Sequence, residues 1–411
     1  MTKPNLQELL VCRNLLADDT IKAFLDVMNS PDDTALQAAC SALLIDRAEA
    51  LGLSGNLLKA YFIYTLSHDS NLAARITEMS DGNIGPSLHE AFVHDIRLLD
   101  AVLRPTPGEL LGLPLLDDYT PTTLAANEAF ETLCTLLEKT ETPEETADSL
   151  LTYYRRYGYG DIASYRAFRW NKHHQLTGIQ HFEPIRFADL IGYENQKEQL
   201  SGNTLAFLRG KPANNTLLVG ARGTGKSSSV KALANEYYNL GLRLLQLTKP
   251  QLVELPQIME TLRHFASKKF IIFLDDLSFE EFEVEYKYLK SAIEGGVESR
   301  PDNVLIYATS NRRHIIKETW RDREDSQEEL YRNDSVNETI SLSDRFGLII
   351  NYLSPTQQEY LAIIDHELRK KGIVLDDEEL RIQGLRWEAT HSGRSGRVAQ
   401  QFVAHYLGQK A

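Results

Sequence analysis

Thr216-Leu217-Leu218-Val219 runs directly into Gly220-Ala221-Arg222-Gly223-Thr224-Gly225-Lys226-Ser227, an apolar stretch followed by the complete pattern G-x-x-x-x-G-K-S. The pattern requires a strand that ends, a loop whose glycines leave the ordinary backbone regions, and a helix that starts at once. Such a loop aims successive N–H groups at β- and γ-phosphate oxygens, and the helix adds the positive end of its dipole. Lys226 brings a mobile cation to the phosphates, and Ser227 a hydroxyl ligand for Mg2+. The implied ligand is a nucleoside triphosphate held by Gly220, Ala221, Arg222, Gly223, Thr224, Gly225, Lys226, Ser227 and Ser228. Four fixed positions recur by chance in a chain this long on the order of one time in a hundred, and the flanking strand and helix argue against coincidence.

From Phe187 onward, short apolar runs alternate with helical periodicity, the sign of an α/β fold with a parallel sheet and crossover helices. The expected strands are Thr216 to Val219, Arg243 to Leu247, Phe270 to Leu274, Val304 to Ala308 and Leu348 to Tyr352. After Ser354-Pro355 the remaining patterns are helical, through Leu361 to Leu368, Glu378 to Trp387 and Arg397 to Tyr406. Residues 1 to 155 carry three- and four-residue apolar spacing, as in Ile21, Phe24, Leu25 and Met28, broken by Ser30-Pro31-Asp32-Asp33 and Pro105-Thr106-Pro107-Gly108. The expected organisation is an all-α N-terminal domain (1–155), an aromatic and basic linker (156–186), an α/β nucleotide-binding domain (187–353) and a helical lid (354–411). Glu318 to Glu338 reads as a charged, exposed insertion.

Bulk properties bound the partners. The chain has 411 residues, 42% of them hydrophobic and 25% charged, the composition of a globular protein. No apolar run approaches the ~20 residues of a membrane span, and the start Met1-Thr2-Lys3-Pro4 lacks a signal-peptide core, so a cytoplasmic protein with no membrane partner is expected. A net charge of -14 with a pI near 5.3 disfavours a large generic nucleic-acid surface. A local groove stays open, because Tyr157, Tyr159, Tyr165, Phe168 and Trp170 interleave with Arg155, Arg156, Arg166 and Arg169. Such rings either stack bases or pack a linker onto a core. His173, His174 and His181 lack zinc-ligand spacing, and Cys12, Cys40 and Cys134 read as reduced, packed thiols.

Phe270-Ile271-Ile272-Phe273-Leu274-Asp275-Asp276 is a buried strand ending in two carboxylates. Asp275 suits Mg2+ coordination and Asp276 is placed to take a proton from attacking water; a strand-to-helix cap accounts for one Asp but not both. Asn303 to Asn311 is a strand with a polar end, Leu342-Ser343-Asp344-Arg345-Phe346-Gly347 carries one arginine before a strand, and Ser392-Gly393-Arg394-Ser395-Gly396-Arg397 opens a helix.

In this order the motifs resemble those of AAA+ ATPases over residues 187 to 408. The resemblance implies a parallel five-stranded sheet sandwiched by helices, with a helical lid. Asn311 is then the sensor that orients the lytic water, with helix capping as the rival role. Arg345 is the arginine finger for a neighbour's γ-phosphate, with an intrachain salt bridge to Asp344 or another acid as the rival. Arg397 is the second sensor, with Arg394 as fallback, and Leu190, Ile191 and Gly192 hold adenine. Arg312 and Arg313 read equally well as surface charges. Many relatives carry Asp-Glu where this chain has Asp275-Asp276, so Asp276 reaches about one methylene less far. Pro212-Ala213-Asn214-Asn215, Asp275 to Glu280, Leu289-Lys290, Glu294-Gly295-Gly296 and Tyr307 to His314 are similar to the bacterial family called domain of unknown function 815.

The leading expectation is an oligomeric ATPase using ATP and Mg2+ to remodel or assemble an unidentified macromolecular client. The alternative is a slow-turnover, ATP-dependent switch or loader, supported by the short Asp276 and by the lack of an aromatic-apolar-Gly loop around Thr248 to Glu254. A third reading, an ATP-gated nucleic-acid module, leans on the aromatic and basic linker against the acidic total.

Overall fold

The computed structural model describes residues 5–103, 105–123, 128–278, 284–294, 300–311, 345–391 and 393–410. The chain divides into two compact units: Met1–Tyr165 with Arg263–Lys268, and Arg166–Leu262 with Lys269–Ala411. Arg312, Arg313, Glu318 to Glu338, Asp344 and the Gly295-Gly296 pair lie outside the described residues.

The first unit is helical. It contains α1 (Asp19–Asn29), α2 (Thr34–Leu51), α3 (Leu57–His68), α4 (Leu72–Met79), α5 (Pro86–Leu103), α6 (Pro107–Leu111), α7 (Glu128–Leu137), α8 (Pro143–Tyr157) and α9 (Gly160–Ser164). Polar side chains fix where these helices start: Asp18, Asp33, Asn56, Asn71 and Thr142 each accept a first-turn backbone N–H that has no partner within its helix. The apolar stripe of α1 is buried, with Phe24 edge-on to Phe62 of α3 at 5.8 Å between centroids.

Two buried carboxylates pin the unit. Asp95 of α5 accepts the backbone N–H groups of Leu10, Val11 and Cys12 at 2.9, 2.7 and 2.8 Å. Glu78 of α4 meets the Lys268 ammonium at 3.1 Å, with side chains 1% and 0% exposed, and the same ammonium donates to the carbonyls of Arg155 and Tyr154 at 2.6 and 3.2 Å. Removing one member of such a buried pair costs about 3–5 kcal/mol, which holds Arg263–Lys268 in this unit despite its distance in sequence.

The second unit is α/β. Its elements are β1 (Ala167–Trp170), β2 (Leu176–Gly178), α10 (Glu194–Leu208), β3 (Thr216–Gly220), α11 (Lys226–Tyr237), β4 (Leu242–Leu247), α12 (Leu255–Arg263), β5 (Lys269–Leu274), α13 (Val284–Glu294), β6 (Val304–Ser310), β7 (Leu348–Tyr352), α14 (Gln357–Lys370), α15 (Asp377–Ala389) and α16 (Gly396–Lys410). Among the described residues the sheet has seven strands in the order β2-β1-β4-β5-β6-β3-β7, parallel throughout except for the β1–β2 hairpin.

The expected count of five strands is therefore corrected to seven. The five expected strands are present as β3 to β7, and β1 and β2 extend the edge beside β4. Ala167-Phe168-Arg169-Trp170 escapes detection because it is short and its outward Arg169 interrupts the apolar run. Tyr159 and Tyr165 are half-buried, but three rings of this region are core groups: Tyr157 is 1% exposed in the helical unit, while Phe168 and Trp170 are 0% and 3% exposed in the α/β unit. Those three are consequently not available to stack on bases. Tyr360, Ile364, Leu368, Val398, Phe402 and Tyr406 form the separate core of the C-terminal helices. No described helix is long and apolar enough to cross a membrane.

Candidate nucleotide site

Register brings the chemistry-bearing residues to one edge of the sheet. Val219 of β3 is opposite Ser310 of β6, and Leu274 of β5 is opposite Ala308. The residues following these strands, Gly220 onward, Asp275-Asp276 and Asn311, therefore emerge side by side. This carboxyl edge is where open α/β sheets bind ligands. Gly220 is required by space: a Cβ there would lie 1.9 Å from the Tyr352 carbonyl oxygen. At Gly223, with φ +75°, a Cβ would meet the Ser395 hydroxyl at 2.9 Å, and the Gly223 carbonyl accepts the Gly396 N–H at 2.9 Å. The last helix of the unit thus begins against the loop.

Lys226 opens α11 and is 6% exposed. Its ammonium donates to the carbonyls of Gly220 and Ala221 at 2.8 and 2.7 Å and to Asn311 Oδ1 at 3.1 Å. Burial pushes its pKa below the usual lysine value, and the Asp276 and Asp275 charges oppose that shift. Ser227 Oγ donates to Asp275 Oδ1 at 2.5 Å. Asn311 Nδ2 donates to Asp276 Oδ1 at 2.5 Å, and the Arg222 guanidinium lies 3.9 Å from Asp276 Oδ2. Asp276 has φ +52°, a left-handed conformation that Asp tolerates better than most residues.

These groups line a cavity of about 1130 Å3 with Leu190, Ile191, Gly223, Thr224, Gly225, Ser228, Thr309 and Arg397. Arg394, the fallback for Arg397, instead bridges Glu388 at 2.8 Å. Gly192 lies in the adjoining turn at φ +78° and does not line the cavity. Gly220 and Ala221 contribute their carbonyls to Lys226. Arg345 is also outside the lining. It precedes Leu348, which pairs with Thr216 at the start of β3, whereas the loop leaves the far end of β3 at Gly220. About 13 Å of strand separates those ends, more than an arginine side chain spans.

Sequence reasoning missed two parts of this site. Thr309, 1% exposed, contacts both acidic residues; in the sequence it is one member of the polar run Thr309-Ser310-Asn311. Lys370 of α14 pairs with Asp189 at 2.6 Å, and both line the cavity. In the sequence Lys370 sits in Arg369-Lys370-Lys371, which reads as an ordinary charged helix end.

The site fits the ligands its motif implies. The helix start and the positive-φ glycines form a cradle for phosphate oxygens. Ser227 and Asp275 present a hydroxyl and a carboxylate oxygen to each other, a partial set of hard donors of the kind Mg2+ completes with phosphate and water. Leu190, Ile191, Ile185 and Ile363 add apolar side chains to the cavity lining.

The class defined by this arrangement is the P-loop ATPase fold of AAA+ type: a phosphate loop after an inner strand, paired carboxylates two strands away, a polar-tipped strand between them and a helical lid touching the loop. Residues 163–410 match the model of the family described as "Protein of unknown function (DUF815)". That match covers well over half of the sequence, and the chain belongs to this family.

No curated protein matches the sequence. Among solved structures the chain is similar to the Holliday junction branch migration motor RuvB of Thermotoga maritima, at 20% identity and TM-score 0.37 over 55% of this chain and 65% of that one. It is also similar to PCH-2 of C. elegans, at 18% identity and TM-score 0.35 over 52% and 63%. The chain thus spans less than two thirds of either structure.

Proposed function

We propose that this chain binds ATP with Mg2+ in the cavity and hydrolyses it at interfaces between copies of itself, using the cycle to change the conformation or assembly of a macromolecular client. The observation that carries the reading is the continuous polar network from the loop carbonyls through Lys226 and Asn311 to Asp276, beside Ser227 and Asp275. Lys226 and the backbone N–H groups of the loop bind the phosphates. Ser227 and Asp275 hold Mg2+, which when bound neutralises charge on the phosphates. Asp276 accepts the proton of the attacking water, and Asn311 orients that water. Arg397 links the lid to the nucleotide, and Leu190 and Ile191 hold the base, with Gly192 forming the turn that follows them.

Arg345 completes the site of a neighbouring copy. Its place at the far end of β7 from the chain's own loop supports action in trans, where a finger arginine contributes roughly 10³ to 10⁵ in rate. The assembly is an ATP-dependent homo-oligomer working in the cytoplasm; Cys12, Cys40 and Cys134 are unpaired thiols, as a reducing compartment leaves them.

A second reading, the slow ATP-dependent switch, is favoured by the state of Asp276. Its short carboxylate accepts from Asn311 and lies 3.9 Å from Arg222, so part of its accepting capacity is already taken by the protein. ATPase rate measured against protein concentration, with mass in solution, separates the two. Turnover per chain that rises with concentration and falls with Asp276→Ala and Arg345→Ala supports the shared-site ATPase. Nucleotide-dependent assembly with negligible turnover supports the switch. A monomer whose rate is independent of concentration and of Arg345 refutes the shared site.

A further inference from the structure

Thr309 lies at the end of β6, between β3 and β5 in the sheet, and β6 is buried along its whole length. Its hydroxyl makes two contacts. It donates its single proton to Asp275 Oδ1 at 2.7 Å and accepts the Asp276 N–H at 2.9 Å, while its carbonyl accepts the Leu277 N–H at 2.7 Å. A threonine hydroxyl has one proton and two lone pairs, so these contacts fix the direction of the O–H bond. The β-branched side chain is also restricted at χ1.

We infer that Thr309 is a positioning residue that sets both acidic side chains at once. The first effect is on Asp275. Its Oδ1 accepts hydrogen bonds from the hydroxyls of both Ser227 and Thr309, so the Thr309 bond would still hold the carboxylate in one orientation if the Ser227 hydroxyl turned its oxygen to a cation and gave up its own bond. The second effect is on Asp276. Its φ of +52° is a sparsely populated conformation for a residue with a side chain, and such conformations persist where surrounding contacts over-determine them. Here those contacts are the Asp276 N–H to the Thr309 hydroxyl and the Leu277 N–H to the Thr309 carbonyl. The left-handed turn directs the Asp276 carboxylate toward Asn311. One hydroxyl therefore ties the orientation of the metal-binding acid to that of the proton acceptor.

The inference rests on the nucleotide reading of the site, and its test distinguishes the failure of the two. Valine is close to threonine in shape but removes both the proton and the acceptor; serine retains both. Two measurements apply to wild type, Thr309→Val and Thr309→Ser: binding of a fluorescent non-hydrolysable ATP analogue against Mg2+ concentration, and hydrogen–deuterium exchange at the Asp276 amide without nucleotide. In Thr309→Val the half-saturating Mg2+ is expected to rise about tenfold, the lower range for removing a partner of a metal ligand. Affinity in chelator is expected to stay within about twofold of wild type, since a second-layer contact to the metal ligand does not touch the phosphates. Asp276 exchange is expected to accelerate about tenfold, as one lost hydrogen bond implies, and serine is expected to restore both quantities. Thr309→Ala is measured alongside, so that a folding defect peculiar to valine does not decide the result. A valine or alanine protein with wild-type Mg2+ requirement and wild-type exchange overturns the role of Thr309 alone. Wild-type protein that binds no nucleotide at any Mg2+ concentration overturns the site reading and the role of Thr309 with it.

Discussion

At the residue scale, Lys226 has three oxygen acceptors supplied by the protein, and an ammonium has three donors. Triphosphate binding must therefore exchange some of these bonds for phosphate oxygens. Because the gain is the difference between two sets of charge-assisted hydrogen bonds, Lys226→Ala is expected to weaken nucleotide binding about 10- to 100-fold, checked by fluorescent-nucleotide titration. Gly220 gives a contrasting outcome. Gly220→Ala places a methyl group inside the Tyr352 carbonyl contact and is expected to destabilise the fold by more than about 3 kcal/mol, seen as a lower denaturant midpoint. The loop residues, Asp275, Asp276 and Asn311 were legible in the sequence because each combines a chemically distinctive residue with a strand end. Thr309 was not, because a buried threonine at a strand end looks alike whether its hydroxyl serves packing, a backbone carbonyl or two adjacent aspartates.

At the element scale, apolar runs disclosed β3 to β7, while β1 and β2 were hidden by shortness and by Arg169. Long-range contacts were hidden in the same way. Asp95 holds the segment from Leu10 to Cys12 from more than 80 positions away, and nothing in the local pattern distinguishes it from a solvated helix acid. Asp95→Ala leaves three backbone N–H groups without their acceptor and is expected to destabilise the protein by about 3 kcal/mol, measured by denaturant melting.

The pair between α14 and the segment at Asp189 closes one side of the cavity. The Lys370 hydrogen bond, followed by the Arg186 N–H, holds the Asp189 carboxyl below its ordinary value, with His366 adding to the effect. A depressed carboxyl pKa stabilises the folded form above the unfolded value and loses that contribution only as pH falls through the folded value. Asp189→Asn is therefore expected to speed nucleotide release about two- to fivefold, the size of an exposed pair, by the same factor from about pH 5 to about pH 8. Stopped-flow displacement of a fluorescent nucleotide measures it. An effect that grows with pH across that window contradicts the assignment.

At the scale of the whole molecule, periodicity revealed a helical region and an α/β region but not where chain is exchanged between compact units. Arg263–Lys268 is counted with the helical unit because the Lys268–Glu78 pair is satisfied within it, a relation between positions 190 residues apart that no local pattern carries. The placement of Arg345 has a molecular-scale consequence as well. One chain carries the loop, the acids and Asn311 at one end of its sheet and the arginine at the other, so on the proposed reading one complete site is built from two copies. Mixing two inactive variants tests this most directly. Asp276→Ala retains Arg345, and Arg345→Ala retains Asp276, so a mixed assembly regenerates an intact site wherever the two meet in the correct order. Equal mixing of head-to-tail subunits is expected to restore about a quarter of the wild-type ATPase rate per chain. A mixture no more active than its separate components would contradict the shared site.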